Sequence, residues 1–204
     1  MNIFFDFDGV ILDSLDIKEL GFRYIFKDYN KKDIEKIIKF HKKNLGKSRF
    51  IKIKYFYKII LKKGISSSKI NSYSNEFSKI MRKNLNDKSR LINDSLNYIK
   101  KNYRRNKLFI VSGTEENELI WLCKELNLNK YFLEIKGSPT SKEELVGNII
   151  SKYSLEKSDS ILIGDSLNDY DAAMYNEIKF YGYNNIRLNS SRYNYIKCMK
   201  NLDS

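Results

Sequence analysis

The sequence predicts an α/β fold, a doubly wound parallel sheet interrupted early by a small all-helical insertion. Three observations carry this reading. Five short apolar runs, at 2–8 (NIFFDFD), 108–112 (LFIVS), 131–136 (YFLEIK), 160–164 (SILIG) and 178–183 (IKFYGY), meet their turns abruptly, as buried parallel strands do. Helical patterns separate the later runs, which implies successive βαβ units. Residues 14–88 keep helical periodicity throughout and contain no comparable strand.

Taken in order, the first strand is followed by the helical insertion, in which Ile34, Ile37, Ile38 and His41, then Tyr55, Phe56, Ile59 and Ile60, recur at helical spacing. Helices are expected over 91–105, 115–127, 141–153 and 168–175, each leading into or out of a strand. The predicted organisation is therefore a core made of 1–13 and 89–204 with a helical cap at 14–88. The aromatic cluster Tyr55, Phe56 and Tyr57 reads as packing within that cap rather than as a platform for bases.

Composition narrows the chemistry. The single histidine, His41, excludes a His-ligated metal centre, and Cys123 and Cys198 lie far apart without CxxC spacing, which argues against a thiolate zinc site or a disulfide framework. No apolar stretch approaches the length of a membrane span, and the N-terminal run carries acids and lacks a basic leader, so a cytoplasmic protein with no membrane partner is expected. The net charge of +13 by itself points to a polyanion, but 30 Lys against 8 Arg resembles coding bias more than a nucleic-acid surface. Its distribution is uneven. Residues 14–88 hold 21 Lys and Arg against 7 Asp and Glu, so the whole excess lies in the insertion, where it can steer small anions toward an acidic site.

The candidate site lies where the strands end. Residues two apart in a strand share a face, so Asp6 and Asp8 emerge together at the mouth of the sheet, and Gly9 lets the chain turn behind them. Such a pair lets one carboxylate attack while the other moves protons. The strand SILIG runs into Gly164-Asp165-Ser166-Leu167-Asn168-Asp169, adding Asp165 and Asp169. Carboxyl oxygens converging from neighbouring strands form a hard site suited to Mg²⁺. Val111-Ser112-Gly113-Thr114 offers a hydroxyl and backbone N–H groups for phosphate oxygens. Lys142, at a helix start after Ser138-Pro139-Thr140-Ser141, is placed to neutralise both a carboxylate nucleophile and a phosphoryl group, with Lys136 as a fallback.

Along the chain, Asp6/Asp8, Ser112, Lys142 and Asp165/Asp169 resemble in order the four motifs of the haloacid dehalogenase-like superfamily, with FDFDGVILDS as the most specific piece, and the phosphoglycolate phosphatase and β-phosphoglucomutase type is the most similar. The resemblance implies a Rossmann-like core, a cap inserted after the first motif, and Mg²⁺-dependent phosphoryl transfer through an aspartyl-phosphate on a small phosphorylated metabolite, with a sugar phosphate expected. It implies Asp6 as nucleophile and metal ligand, and Asp8 as general acid and base with its backbone carbonyl on the metal. Asp165 would be a direct metal ligand, and Asp169 a second ligand or a support. Ser112, Gly113 and Lys142 would hold the phosphoryl group. The dehalogenases themselves lack the second acid, so Asp8 disfavours dehalogenation. A phosphomutase of the same fold is the alternative, and a nucleic-acid-binding module or nucleic-acid-end phosphatase is a more distant one.

The cap contains one loop-like interruption, His41-Lys42-Lys43-Asn44-Leu45-Gly46-Lys47-Ser48-Arg49-Phe50-Ile51-Lys52, similar to an HxxNxGxSR loop of superfamily phosphatases that act on sugar phosphates in bacterial surface-glycan pathways. It makes Arg49, Lys52 and His41 the candidate substrate contacts of the cap, with a packed, hydrogen-bonded His41 as the competing reading. Lys18, after the Asp13-Ser14 hinge, is a weaker candidate of the same kind.

Overall fold

A computed structural model describes residues 1–202. Six parallel strands, β1 (Asn2–Phe5), β2 (Lys107–Glu115), β3 (Glu134–Ser138), β4 (Ser160–Gly164), β5 (Lys179–Tyr183) and β6 (Tyr195–Ile196), form one sheet in the order β3-β2-β1-β4-β5-β6. The chain leaves β1 for β2 on one side and later returns to β4 on the other. β1 is therefore the switch point, and the crevice beyond the carboxyl ends of β1, β2 and β4 is where such sheets bind ligands.

Side-chain alternation along the central strand builds two cores. Ile3 and Phe5 face one side and join a cluster with Ile110, Leu119, Leu122 and Ile163, while Phe4 faces the other with Phe109, Val111, Leu145, Val146 and Leu162. The second side is closed by α7 (Lys142–Lys152) and α8 (Leu167–Tyr175), and the first by α5 (Asn93–Asn102) and α6 (Glu116–Glu125).

Between β1 and β2 lie α1 (Leu15–Ile25), α2 (Lys31–Lys43), α3 (Arg49–Tyr55), which runs on into one π-helical turn at Phe56–Ile60, and α4 (Ser67–Leu85). Asn30, Ser48 and Ser66 cap α2, α3 and α4 by accepting from the backbone N–H of Lys32, Ile51 and Lys69. Phe22, Phe26, Phe56 and Phe77 fill the centre of the insertion, and Tyr55 stacks on Phe40 at 3.6 Å. The aromatic cluster is thus packing, as expected. These residues join the cluster on the Ile3/Phe5 side of the sheet through Phe7, Val10, Ile11 and Leu12, so the insertion is packed onto the core rather than tethered beside it.

Element boundaries depart from the sequence pattern where a turn competes. β1 ends at Phe5, β2 runs through Glu115, and β3 begins at Glu134 because Asn129–Tyr131 winds into a 3₁₀ turn. The two-residue strand β6 was too short to leave a periodic signal.

Candidate active site

The acid-bearing loops meet because of a glycine. Gly9 has φ +79°, a conformation open to glycine at little cost, and the space where a Cβ would sit is taken by the Asp165 carboxylate. The β1 and β4 loops can therefore close on each other. Two adjacent asparagines after β5 brace the pair, Asn184 Nδ2 donating to the Gly9 carbonyl at 2.9 Å and Asn185 Nδ2 to the Asp165 carbonyl at 2.6 Å.

Asp6, Asp165 and Asp169 are all buried, and each can offer one oxygen to a point shared by all three, the atoms lying within 4.8 Å of one another. Asp6 Oδ1 accepts from the Phe7 N–H at 2.8 Å and from Lys142 Nζ at 2.9 Å, which leaves its Oδ2 uncommitted. Asp165 Oδ1 is buried without a hydrogen-bond partner, which is costly unless a cation completes it. Asp169 differs from both. Its Oδ1 takes Lys142, and its Oδ2 takes the Ser166 N–H and hydroxyl in a capping box that starts α8. Of the two roles open to Asp169, the geometry favours support. With oxygen donors only and no imidazole or thiolate among them, the set fits Mg²⁺, which Asp6 and Asp165 would hold.

Charge in this site is set by burial first. Burial, followed by repulsion from Asp169, pushes Asp6 up to about 7 against the pull of Lys142. Burial and then the Asp6 charge raise Asp165 well above the usual carboxylate range. A divalent cation would reverse both tendencies. Burial works against the Lys142 ammonium, but the Asp169 and Asp6 carboxylates outweigh it and hold the lysine protonated. For Asp8, burial is likewise overcome. The Lys18 ammonium, with hydrogen bonds from Lys18, Ser14 and Thr114, brings its carboxyl down to about 2.

The structure brings together Asp6, Asp8, Ser112, Gly113, Lys142, Asp165 and Asp169. The Ser112 hydroxyl lies 3.4 Å from Asp8 Oδ2 and accepts the Thr114 N–H. Gly113 is in backbone contact with Gly46 of the α2–α3 loop, where a side chain on Gly113 would strike the Gly46 carbonyl. Lys136 lies away from the acids, near Glu116 at 3.7 Å, so Lys142 is the lysine of the site.

Arg49 and Lys52 are arranged otherwise than expected, while His41 takes its packed, hydrogen-bonded reading. The Arg49 guanidinium does not point at the acids. It is buried in a bidentate pair with Glu118 of α6 at 2.8 and 2.6 Å, donates to Ser78 Oγ, and lies over the Phe77 ring. A guanidinium so buried and paired bidentately with a core helix has the geometry of a clasp between insertion and core. Lys52 Nζ turns to His41 Nδ1 and the Leu45 carbonyl, both at 3.1 Å. His41 is buried against Phe22, and burial followed by the Lys52 charge pushes it down to about 2, so it is a neutral packed imidazole with an edge on the cleft described below.

Sequence reasoning missed Asn184, Asn185 and Glu118 and ranked Lys18 too low. The asparagines belong to no motif. Glu118 did leave a signal, an acid one turn before Leu122 on the apolar face of α6.

An enclosed space of about 10 Å³, lined by Asp6, Asp8, Lys18, Leu45, Gly46, Gly113 and Asp165 among others, has room for about one water. It adjoins a cleft of about 430 Å³ that shares Leu15, Leu45 and Asp165 with it and is otherwise polar, with Asp16, Glu19, His41, Lys42, Asn184, Asn185 and Arg187. Three larger grooves, two of about 790 and 600 Å³ along α4 and one of about 530 Å³ beside α8 and β5, contain none of the four aspartates.

A switch-point sheet with four aspartates, a lysine and a Ser-Gly strand end at its crevice defines a class, and comparison with known proteins gives the same class. Residues 3–183 match the haloacid dehalogenase-like hydrolases, and the chain belongs to that family. Solved structures share its fold along nearly the whole chain. A predicted phosphoglycolate phosphatase of Haemophilus somnus is 16% identical with TM-score 0.75, covering 99% of this chain and 96% of its own. The β-phosphoglucomutase of Clostridium difficile is 16% identical with TM-score 0.76, covering 98% and 92%. The HAD-hydrolase YfnB of Bacillus subtilis, solved bound to magnesium, is 16% identical with TM-score 0.69, covering 98% and 96%. No curated protein matches the sequence. Among the described residues no helix is long and apolar enough to cross a membrane.

Proposed function

We propose that the chain is a Mg²⁺-dependent phosphatase that hydrolyses a small phosphorylated metabolite, with a sugar phosphate as the expected class. The observation that carries this reading is Asp6, whose Oδ1 is fixed by Lys142 and Phe7 while Oδ2 is uncommitted in an enclosed space lined also by Asp8 and Asp165. Asp6 Oδ2 attacks phosphorus to give an aspartyl-phosphate. The negative charge of an arriving phosphoryl group offsets that of Lys18 and lets Asp8 carry a proton, which it gives to the leaving oxygen and recovers from the water that releases phosphate. Ser112, the Gly113 N–H and Lys142 hold the phosphoryl oxygens. When bound, Mg²⁺ supplies positive charge against the oxygens of Asp6, Asp165 and the phosphoryl group.

In this reading residues 14–88 are a cap over a core of 1–13 and 89–204. A phosphoryl group is larger than the one-water space beside Asp6, so it enters only as the Gly46 loop moves, and the loop then shuts out bulk water. The rest of the substrate lies in the polar 430 Å³ cleft, where hydroxyl groups find carboxylate, amide and cationic partners. Lys52 acts on that closure by holding the loop at the Leu45 carbonyl, Arg49 clasps the insertion to α6, and His41 borders the cleft. A cytoplasmic setting goes with the unpaired Cys123 and Cys198.

Asp6→Asn is expected to abolish phosphate release from p-nitrophenyl phosphate, a loss on the order of 10⁴-fold or more, and EDTA to do the same reversibly. Full activity in the variant or in EDTA refutes the proposal. Interconversion of hexose phosphate isomers without phosphate release would instead assign the mutase reaction.

A further inference from the structure

Asn184 and Asn185 lie just past the end of β5, beyond the last residues that pair with β4 and β6, so neither belongs to the sheet ladder. Asn184 has φ +54°, a left-handed conformation that glycine or asparagine takes readily. Only asparagine brings an amide there, and its Nδ2 donates to the Gly9 carbonyl. The sheet order puts β4 between β5 and β1, so this bond spans the β4 loop to reach the β1 loop. Asn185 is fixed at both ends. Its Oδ1 accepts the Arg187 N–H at 3.2 Å, and its Nδ2 donates to the Asp165 carbonyl. The two loops tied in this way carry Asp6 and Asp165, and they touch, because the Asp165 carboxylate rests on the side of Gly9 where a Cβ would stand. Asp165 Oδ1 has no hydrogen bond of its own to hold it. Its place is therefore set by the backbone around it, which the asparagines hold.

We propose that Asn184 and Asn185 are positioning residues for the cation, fixing the gap between Asp6 and Asp165 and so setting the preference for Mg²⁺ over a larger divalent ion. This rests on the Mg²⁺ site of the proposed function and is independent of which phosphate ester is the substrate. Mg²⁺ demands oxygens at about 2.0–2.1 Å in near-ideal octahedral geometry, whereas Ca²⁺ accepts about 2.3–2.6 Å and a looser shell. A gap held from a third loop suits the smaller ion, and slack in it penalises the smaller ion more. Groups that orient metal ligands are typically worth about 10–100-fold in metal affinity. The asparagines hold backbone carbonyls rather than ligand oxygens, which puts them at the lower end.

The test is metal binding without substrate, by calorimetric titration of the full-length protein with Mg²⁺ and with Ca²⁺. Asn184→Gly removes the amide and keeps the left-handed backbone, while Asn185→Ser keeps an acceptor for the Arg187 N–H but is too short to reach Asp165. Each is expected to weaken Mg²⁺ about tenfold and Ca²⁺ less than about twofold, so that the ratio of the Ca²⁺ Kd to the Mg²⁺ Kd falls about fivefold or more. A metal-free Tm within a few degrees of wild type shows that a variant is folded, and if one is not, the other carries the comparison. Unchanged Mg²⁺ affinity, equal losses for both ions, or loss of folding in both variants would show that the asparagines serve only the stability of the loop and would overturn the assignment. Wild-type protein that does not bind Mg²⁺ would overturn the Mg²⁺ site itself, and this inference with it.

Discussion

Lys142 in the core and Lys52 in the helical insertion are equally withdrawn from water, at 4% and 3% exposure, and both sit near the site. Their surroundings are opposite. Lys142 is wedged between Asp6 and Asp169, whose charges hold it protonated against burial. Lys52 has no carboxylate partner. Its neighbours are a neutral imidazole and a carbonyl, and burial followed by the Lys18 charge pulls it well below the ordinary lysine range. Burying a cation is costly in both places, and only in the core is the cost offset by opposite charge. The core therefore keeps a fixed positive charge where the proposed phosphoryl transfer needs one. The insertion uses its buried lysine to tie down a loop.

The contrast breaks first at Lys142. Lys142→Met should lower kcat by about 10²–10³-fold, measured as phosphate release at saturating Mg²⁺. Lys52→Met removes an uncompensated charge at similar volume and should shift unfolding stability by less than about 1.5 kcal/mol. A small effect at Lys142, or a large loss of stability at Lys52, would erase the distinction.

Arg49, another buried cation of the insertion, sharpens it, because it does have an acid. Arg49→Met leaves Glu118 without its partner at 0% exposure, and should cost about 3–5 kcal/mol in thermal or denaturant unfolding. Arg49→Met with Glu118→Leu should recover most of that loss, as an apolar pair replaces the ionic one. Failure of the double variant to recover would mean that the pair contributes net stability rather than specificity of cap placement.

The smallest effect is in pH. Asp6 is raised from an ordinary 3.8 to about 7 by burial and then by its acidic neighbours, so metal-free folded protein binds a proton there that the unfolded chain releases. Its cost to stability is therefore absent below about pH 4, grows as pH rises, and is complete above about pH 7. The rise in Tm on adding Mg²⁺ should accordingly be a few degrees larger at pH 8 than at pH 5, since the cation relieves the same repulsion. An equal gain at both pH values would show that these acids do not bind the ion.

Much of the fold was legible because parallel strands buried on both faces need near-continuous apolar runs, as the IFF of β1 and the ILI of β4 are. The four aspartates were legible for a related reason. Acids clustered just beyond such strands stand out against the apolar runs they follow, as Asp6, Asp8, Asp165 and Asp169 do, although Asp169 also caps α8. The cap residues were not legible in this way. In a segment with 21 basic side chains, sequence gives no means of telling which lysine or arginine turns inward.

The sequence by itself determined the strand–helix rhythm, the helical insertion, the acids at the strand ends and the lysine at the start of α7, because burial period and local turn chemistry act over a few residues. Tertiary structure decided the destinations. Arg49 went to Glu118, 69 residues away, Lys18 to Asp8 and Thr114, and the Asn184-Asn185 pair to the Gly9 and Asp165 carbonyls. Those pairings depend on which surfaces meet when the first helix and the β5 loop close over the crevice. A buried charge takes whichever partner that closure supplies, and no spacing along the chain encodes it.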